Sequence, residues 1–278
     1  MAAVMNTPTD SLLPFLEGAL CRVAGAPALR EAVVLRGGLL VRQWSGPVHR
    51  PVDDLDFLWT EPFAPELIAS GLRTALASEV GDGVVFDAAS ASEELIWAET
   101  ANPGVRLRVP ARAMGVTAEL QIDVGCNDPL DPPASWCEVP TASGPVQVRA
   151  VRPETMLAWK VHGLFERGRG RWRAKDLWDV DVLSRHAPRE DAAFQRALRL
   201  AFESRGMTLS ELDRLLEGQF GTSRGSRRRW ERFRKERGAP ELPEQLPELI
   251  ARVAAFLRPH VLANRSNPML TRGSPAGV

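Results

Sequence analysis

An α+β fold followed by an all-helical segment is what the sequence predicts, and two observations carry that prediction. Up to about residue 150, short apolar runs of strand type are mixed with helical spacings, and after Pro153 only helical spacings remain. The charge balance changes at the same place. Residues 1–148 carry 9 Lys+Arg against 19 Asp+Glu, and residues 149–278 carry 26 against 16. The expected organisation is an α/β core over 1–150 with a mixed sheet and a helical domain over 151–278.

The elements follow in order. Leu12, Leu13, Leu16, Leu20 and Val23 have helical spacing, with Asp10 or Ser11 as N-cap and Pro14 near the first turn, where proline is tolerated. The apolar run 32–35 reads as a buried strand, Gly37 and Gly38 follow it, and 39–44 begins a helix. Gly46, Pro47 and Pro51 make 45–53 a loop. Residues 55–59 read as a strand and 65–80 as a helix. Further strands are expected at 83–87, 104–109, 116–124 and 146–151, with a turn-rich break at 127–133. Beyond Pro153, helices are expected over 154–167, 174–185, 192–204, 209–219, 226–237 and 247–257, the first two separated by Gly168 and Gly170. The tail 271–278 is expected to fray.

Composition narrows the function classes. With 278 residues, 44% hydrophobic and 25% charged, the chain has the balance of a globular protein that buries a core, which excludes a mostly disordered one. No apolar run reaches the roughly 18–20 residues of a membrane helix, and the first residues lack the layout of a signal peptide. Cys21, Cys126 and Cys137 are odd in number and have no metal-ligand spacing, so they read as reduced thiols of a cytoplasmic protein. The four histidines, His49, His162, His186 and His260, form no ligand spacing either. Only three of the 35 basic residues are lysines: Lys160, Lys175 and Lys235. A lysine is the compact point charge suited to a phosphate.

The first chemistry-bearing stretch runs from Gly37-Gly38 to Asp54-Leu-Asp56. On a strand, Asp54 and Asp56 project to one side, and Leu55 and Phe57 to the other. Two carboxylates on one face repel each other unless a divalent cation sits between them. Two glycines between a strand and a helix let backbone N–H groups approach a phosphate at the helix N-terminus. Together these parts make a Mg²⁺–triphosphate site. Asp123 shares a face with Glu119 and Gln121, opposite Leu120, Ile122 and Val124. On a strand beside the first it would bring a third carboxylate to the metal, able to help deprotonate an attacking hydroxyl. Glu119 competes for that place, and an ordinary polar face on a half-buried strand accounts for the same spacing.

The second stretch holds Lys160, Lys175, Asp176 and Asp179. Lys160 has Met156 and Leu164 at i−4 and i+4, beside an apolar stripe, where a lysine is costly unless paired. One reading places Lys160 on the triphosphate with Lys175 and Asp176 in support; a salt-bridged pair of helices fits the spacing equally. In the basic segment 224–237, Trp230 and Phe233 dock the helix, and Arg227, Arg228 and Arg232 are candidates for RNA-backbone contact or for a solvated face.

These motifs resemble a family. Leu35-Arg-Gly-Gly-Leu-Leu-Val-Arg42, Arg50-Pro-Val-Asp-Asp-Leu-Asp-Phe57, Met156-Leu-Ala-Trp-Lys160 and Arg173-Ala-Lys-Asp-Leu-Trp-Asp179 are similar to the motifs of the AbiEii/AbiGii-type nucleotidyltransferase toxins. The closing segment, with Trp230, Phe233 and 250–259, is similar as well, so the resemblance covers nearly the whole chain. It implies a DNA polymerase β-like nucleotidyltransferase fold whose helical domain contributes lysine and aspartate to the site. It also implies Mg²⁺-dependent transfer of a nucleoside monophosphate from an NTP to an acceptor, with tRNA the acceptor in some relatives. A toxin–antitoxin or phage-defence role follows, with a cognate antitoxin as partner. By position, Asp54 and Asp56 match the metal pair, Asp123 the third acid, Lys160 the nucleotide-contacting lysine and Asp176 the later acid. The sequence departs from the family at three places. Leu39 stands where the family has Thr or Ser, Arg36 where it usually has Lys, and Val52 where it has Ser. The lost hydroxyl leaves open a catalytically degenerate relative that binds nucleotide or RNA without turnover.

Overall fold

In a computed structural model of the chain, residues 11–46, 48–168, 170–237 and 242–266 are described. Asp10 and the tail 271–278 lie outside them. The chain divides into two compact units, Met1–Asp128 with Pro133–Arg152, and Pro129–Pro132 with Pro153–Val278.

The first unit opens with α1 (Leu13–Gly25) and a single turn, α2 (Pro27–Arg30). Then come β1 (Val33–Arg36), α3 (Gly38–Ser45), β2 (Leu55–Trp59) and α4 (Pro65–Leu76). The strands β3 (Val85–Phe86), β4 (Ser92–Ile96), β5 (Gly104–Ala113), β6 (Val116–Cys126), β7 (Ser135–Val139) and β8 (Val146–Ala150) complete it. The strands form one mixed sheet in the order β3-β5-β6-β2-β1-β8-β7, with β4 also on β5. β2 runs antiparallel to β1 and parallel to β6, and β5 runs antiparallel to β6.

Register sorts the side chains. Leu107, Ile122 and Leu55 line up across β5, β6 and β2, and Val105, Val124, Phe57 and Leu35 make the next apolar row. All seven are buried. Each such side chain taken fully from water contributes about 1.5–3 kcal/mol. α1 adds Phe15, Leu16 and Leu20 to this core, and α4 adds Ile68 and Leu72. Because side chains alternate, residues 36, 56, 123 and 106 fall on the other face.

The second unit holds α5 (Pro153–Gly163), α6 (Ala174–His186), α7 (Asp191–Glu203), a 3₁₀ turn (Leu209–Leu212) running into α8 (Asp213–Leu216), α9 (Arg224–Arg237) and α10 (Leu246–Ser266). Its core includes Leu157, Val161, Leu177, Trp178, Phe194, Phe202, Leu249 and Leu257. Pro129–Pro132 belongs here because the Asp131 carbonyl accepts a hydrogen bond from Thr155 Oγ1 and the Asp131 carboxylate meets Arg196.

Several boundaries differ from expectation. β4 and β7 were not foreseen, because most of their residues are exposed and show no alternation of apolar and polar positions. The helix expected over 209–219 is the 3₁₀ turn and the single turn α8. The helix expected over 65–80 stops at Leu76, and the one expected over 154–167 stops at Gly163.

Candidate active site

The turn between β1 and α3 is shaped by glycine. Gly37 has φ 81° and ψ −150°, a region essentially reserved for glycine. A Cβ there would lie 2.0 Å from Asp56 Oδ2, so the backbone and this carboxylate approach as closely as they do only because no side chain intervenes. At Gly38 a Cβ would lie 2.7 Å from Val52 Cγ1. The first turn of α3 therefore begins beside Asp56, with N–H groups of the kind that receive a phosphate. Leu39 and Val52, the two positions at which the family resemblance implies a hydroxyl, are both buried.

Asp54 lies just before β2 and Asp56 within it; both are half-buried. Asp123 on β6 is opposite Asp56 in the parallel register and is 5% exposed. One oxygen from each of the three carboxylates lies within 4.8 Å of the others. Glu119 is exposed and stands opposite Pro110, away from this group. Hard oxygen donors at this separation are what Mg²⁺ and Ca²⁺ take, and soft or imidazole-seeking metals do not prefer them.

The acids do not stand alone in their row. Across β1, β2, β6 and β5 the paired residues are Arg36, Asp56, Asp123 and Arg106. Arg106 grips Asp123 with both arms of its guanidinium, Nε to Oδ1 at 2.8 Å and Nη2 to Oδ2 at 2.7 Å. Gln121 Nε2 donates to the same Oδ2 at 3.3 Å. The hydrogen bond to Asp123 holds the Arg106 guanidinium above its ordinary pKa; partial burial opposes this, while the charges of Asp123, Glu94 and Asp54 add to it. At the other end of the row, Arg36 Nη1 meets Asp128 Oδ2 at 2.7 Å, and Asn102 Nδ2 donates to Asp128 Oδ1 at 3.3 Å.

In the second unit, Lys160 on α5 reaches Asp176 Oδ1 at 3.2 Å and Asp179 Oδ2 at 2.8 Å on α6. Arg173 Nε holds the other oxygen of Asp176 at 2.5 Å. Both aspartates are almost fully buried. Two buried carboxylates answered by one ammonium and one guanidinium form a balanced cluster, which meets the cost of placing Lys160 beside apolar residues. Lys175 is half-buried on α6. On α9, Trp230 and Phe233 are buried and stacked on each other, and Phe233 also packs edge-on against Trp178. Arg227, Arg228 and Arg232 are exposed.

Arg106 and Asp128 are the neighbours of the acidic cluster that the sequence did not single out. The alternation of Val105-Arg-Leu-Arg-Val109 marks Arg106 as belonging to a polar face, but not which strand it would lie beside.

Comparison with curated proteins returns no match. Two crystal structures share the fold. The JHP933 protein of Helicobacter pylori superposes with a TM-score of 0.55 at 15% identity, covering 93% of this chain and 94% of the other. A candidate nucleotidyltransferase from H. pylori gives 0.55 at 14% identity, covering 92% and 97%. The family model of the AbiEii nucleotidyl transferase toxin, described as part of a type IV toxin–antitoxin system, matches residues 18–256. With a sheet that presents three carboxylates beside a glycine turn, and with a family match over nearly its whole length, the chain belongs to the AbiEii nucleotidyl transferase toxin family.

Proposed function

We propose that the chain moves a nucleoside monophosphate from an NTP to an acceptor hydroxyl, that the cation is Mg²⁺, and that the acceptor is tRNA. The observation that carries this reading is the meeting of Asp54, Asp56 and Asp123 within 4.8 Å, with Asp56 close against the backbone of the glycine turn. Asp54, Asp56 and Asp123 hold the cation. Bound Mg²⁺ supplies charge neutralisation at the phosphates and a more acidic acceptor hydroxyl. The N–H groups at Gly37 and Gly38 receive phosphate oxygens. Lys160 serves as the nucleotide-contacting lysine, Asp176 holds its ammonium, and Lys175 supports them. Arg227, Arg228 and Arg232 give an electrostatic hold on RNA phosphates. The reaction belongs in the cytoplasm, under the control of a cognate antitoxin; among the described residues no helix is long and apolar enough to cross a membrane.

The test is incubation with each NTP labelled at the α-phosphate, Mg²⁺ and total bacterial tRNA, beside the Asp54→Ala/Asp56→Ala variant. Label on RNA with wild type alone is expected. Equal labelling by the variant would overturn the assignment of the acids.

A second reading, a degenerate relative that binds without turnover, draws on one observation. Leu39, one residue into α3, is 5% exposed and presents an apolar side chain where the family has a hydroxyl. In that case no NTP yields label, and Mg²⁺–NTP still binds in calorimetry.

A further inference from the structure

The row Arg36–Asp56–Asp123–Arg106 gives the third acid a partner of its own. Both oxygens of Asp123 are taken by the Arg106 fork, and the carboxylate is almost fully buried while Arg106 is about a quarter exposed. A carboxylate offers about four lone-pair positions, and the Arg106 fork and Gln121 Nε2 take three of them, which leaves room for a cation at reduced field. The Arg106 charge also bears on Asp54. A divalent ion approaching the acids alone therefore meets a fixed positive charge behind one of them.

We propose that Arg106 is the resident counter-ion and positioning residue of Asp123: it fixes that carboxylate in register with Asp56 and weakens the site for bare cations, so that full metal loading comes with the negatively charged triphosphate. This rests on the proposed reading of the three acids as metal ligands. The place of Arg106 points to the acids and not to phosphates at the glycine turn, because its guanidinium is already held by Asp123. Three strand spacings separate β5 from β1, about 14 Å, whereas Gly37 follows directly on β1. Arg106 thus acts at the far side of the acids from that turn.

The test uses the full chain without nucleotide and Mn²⁺ alone as probe, its free fraction read by electron paramagnetic resonance. Arg106→Gln is expected to tighten Mn²⁺ binding on the order of tenfold, because a like charge has gone, while kcat at saturating metal falls because Asp123 has lost its fixed plane. An arginine that only supports the fold would not tighten metal binding when removed. Arg106→Lys keeps the charge and is expected to stay near wild-type Mn²⁺ affinity. Asp123→Asn is expected to weaken Mn²⁺ binding on the order of tenfold without nucleotide, since it removes a ligand charge and leaves the Arg106 charge unanswered, while Asp56→Ala abolishes binding. The counter-ion role is overturned if Arg106→Gln binds Mn²⁺ no better than wild type, if Arg106→Lys binds as tightly as Arg106→Gln, or if Asp123→Asn loses as much as Asp56→Ala. If Asp56→Ala binds like wild type, it is the reading of the acids that fails, and the proposal with it.

Discussion

Asp56 and Asp123 stand directly opposite each other on the parallel strands β2 and β6. Their side chains share a face because strand residues in register do, and the neighbouring rows Leu55–Ile122 and Phe57–Val124 are driven into the core. Burial of the apolar rows thus sets the two carboxylates side by side, and the Arg106 fork on Asp123 offsets part of their repulsion. Asp56→Asn is expected to lower transfer by about 10²–10³-fold or more while the fold stays intact. A nucleotide-transfer assay beside a thermal melt checks both halves, and retained activity would remove Asp56 from the chemistry.

The glycine turn separates strain from obstruction. Gly37→Ala is expected to cost about 1–3 kcal/mol of backbone strain and to abolish transfer, because its Cβ would displace Asp56. Gly46 also has positive φ, at 59°, but an added Cβ there meets nothing within 4 Å. Gly46→Ala should therefore lose stability and keep activity. Equal activity in the two variants would contradict the close approach.

Lys160 is a stability element whatever else it does. Lys160→Met would leave Asp176 and Asp179 with one cation fewer among buried surroundings, at an expected cost of about 3–5 kcal/mol. Adding Asp179→Asn should return part of that loss. Additive losses in a double-mutant cycle by denaturant melts would show that the ion pair does not couple them.

His260 sets a pH dependence in the second unit. Burial holds its imidazole below its ordinary 6.5, with Asp191 opposing and Arg189 reinforcing the shift. Its ring packs on Phe194 and Phe256, and Nδ1 has no hydrogen-bond partner among the described residues. A depressed folded pKa means the stability is present above pH 6.5 and is lost as pH falls through the folded value. Melting temperature should drop between pH 7 and pH 5 and should drop less in His260→Phe. An unchanged pH slope in that variant would assign the effect elsewhere.

If α9 holds RNA, the hold is electrostatic. Replacing Arg227, Arg228 and Arg232 together by Ala is expected to weaken tRNA binding at all sequences and to reduce the slope of log affinity against log salt by about 2–3. A slope equal to wild type would leave these arginines as a solvated face.

Much of this was legible in the sequence, for identifiable reasons. Alternation across Leu55-Asp-Phe57 and Leu120–Val124 showed which carboxylates face away from the core, and the glycine pair marked the turn. The pairing of β2 with β6 was anticipated only as one possible placement, because register is set by long-range burial and not by local spacing. For the same reason the alternation around Arg106 marks a polar face without showing that it meets Asp123. β4 and β7 escaped because sheet-edge strands, exposed on most positions, lack the alternation that betrays a half-buried one.

The shared register has a last consequence. A slip of one residue in β6 would turn Asp123 into the apolar layer and Ile122 out of it. Such a chain would lose its packing and its three-acid cluster in the same step. If the three acids carry the chemistry, a misregistered copy has neither a core nor a site, and activity rises with the folded fraction of the protein.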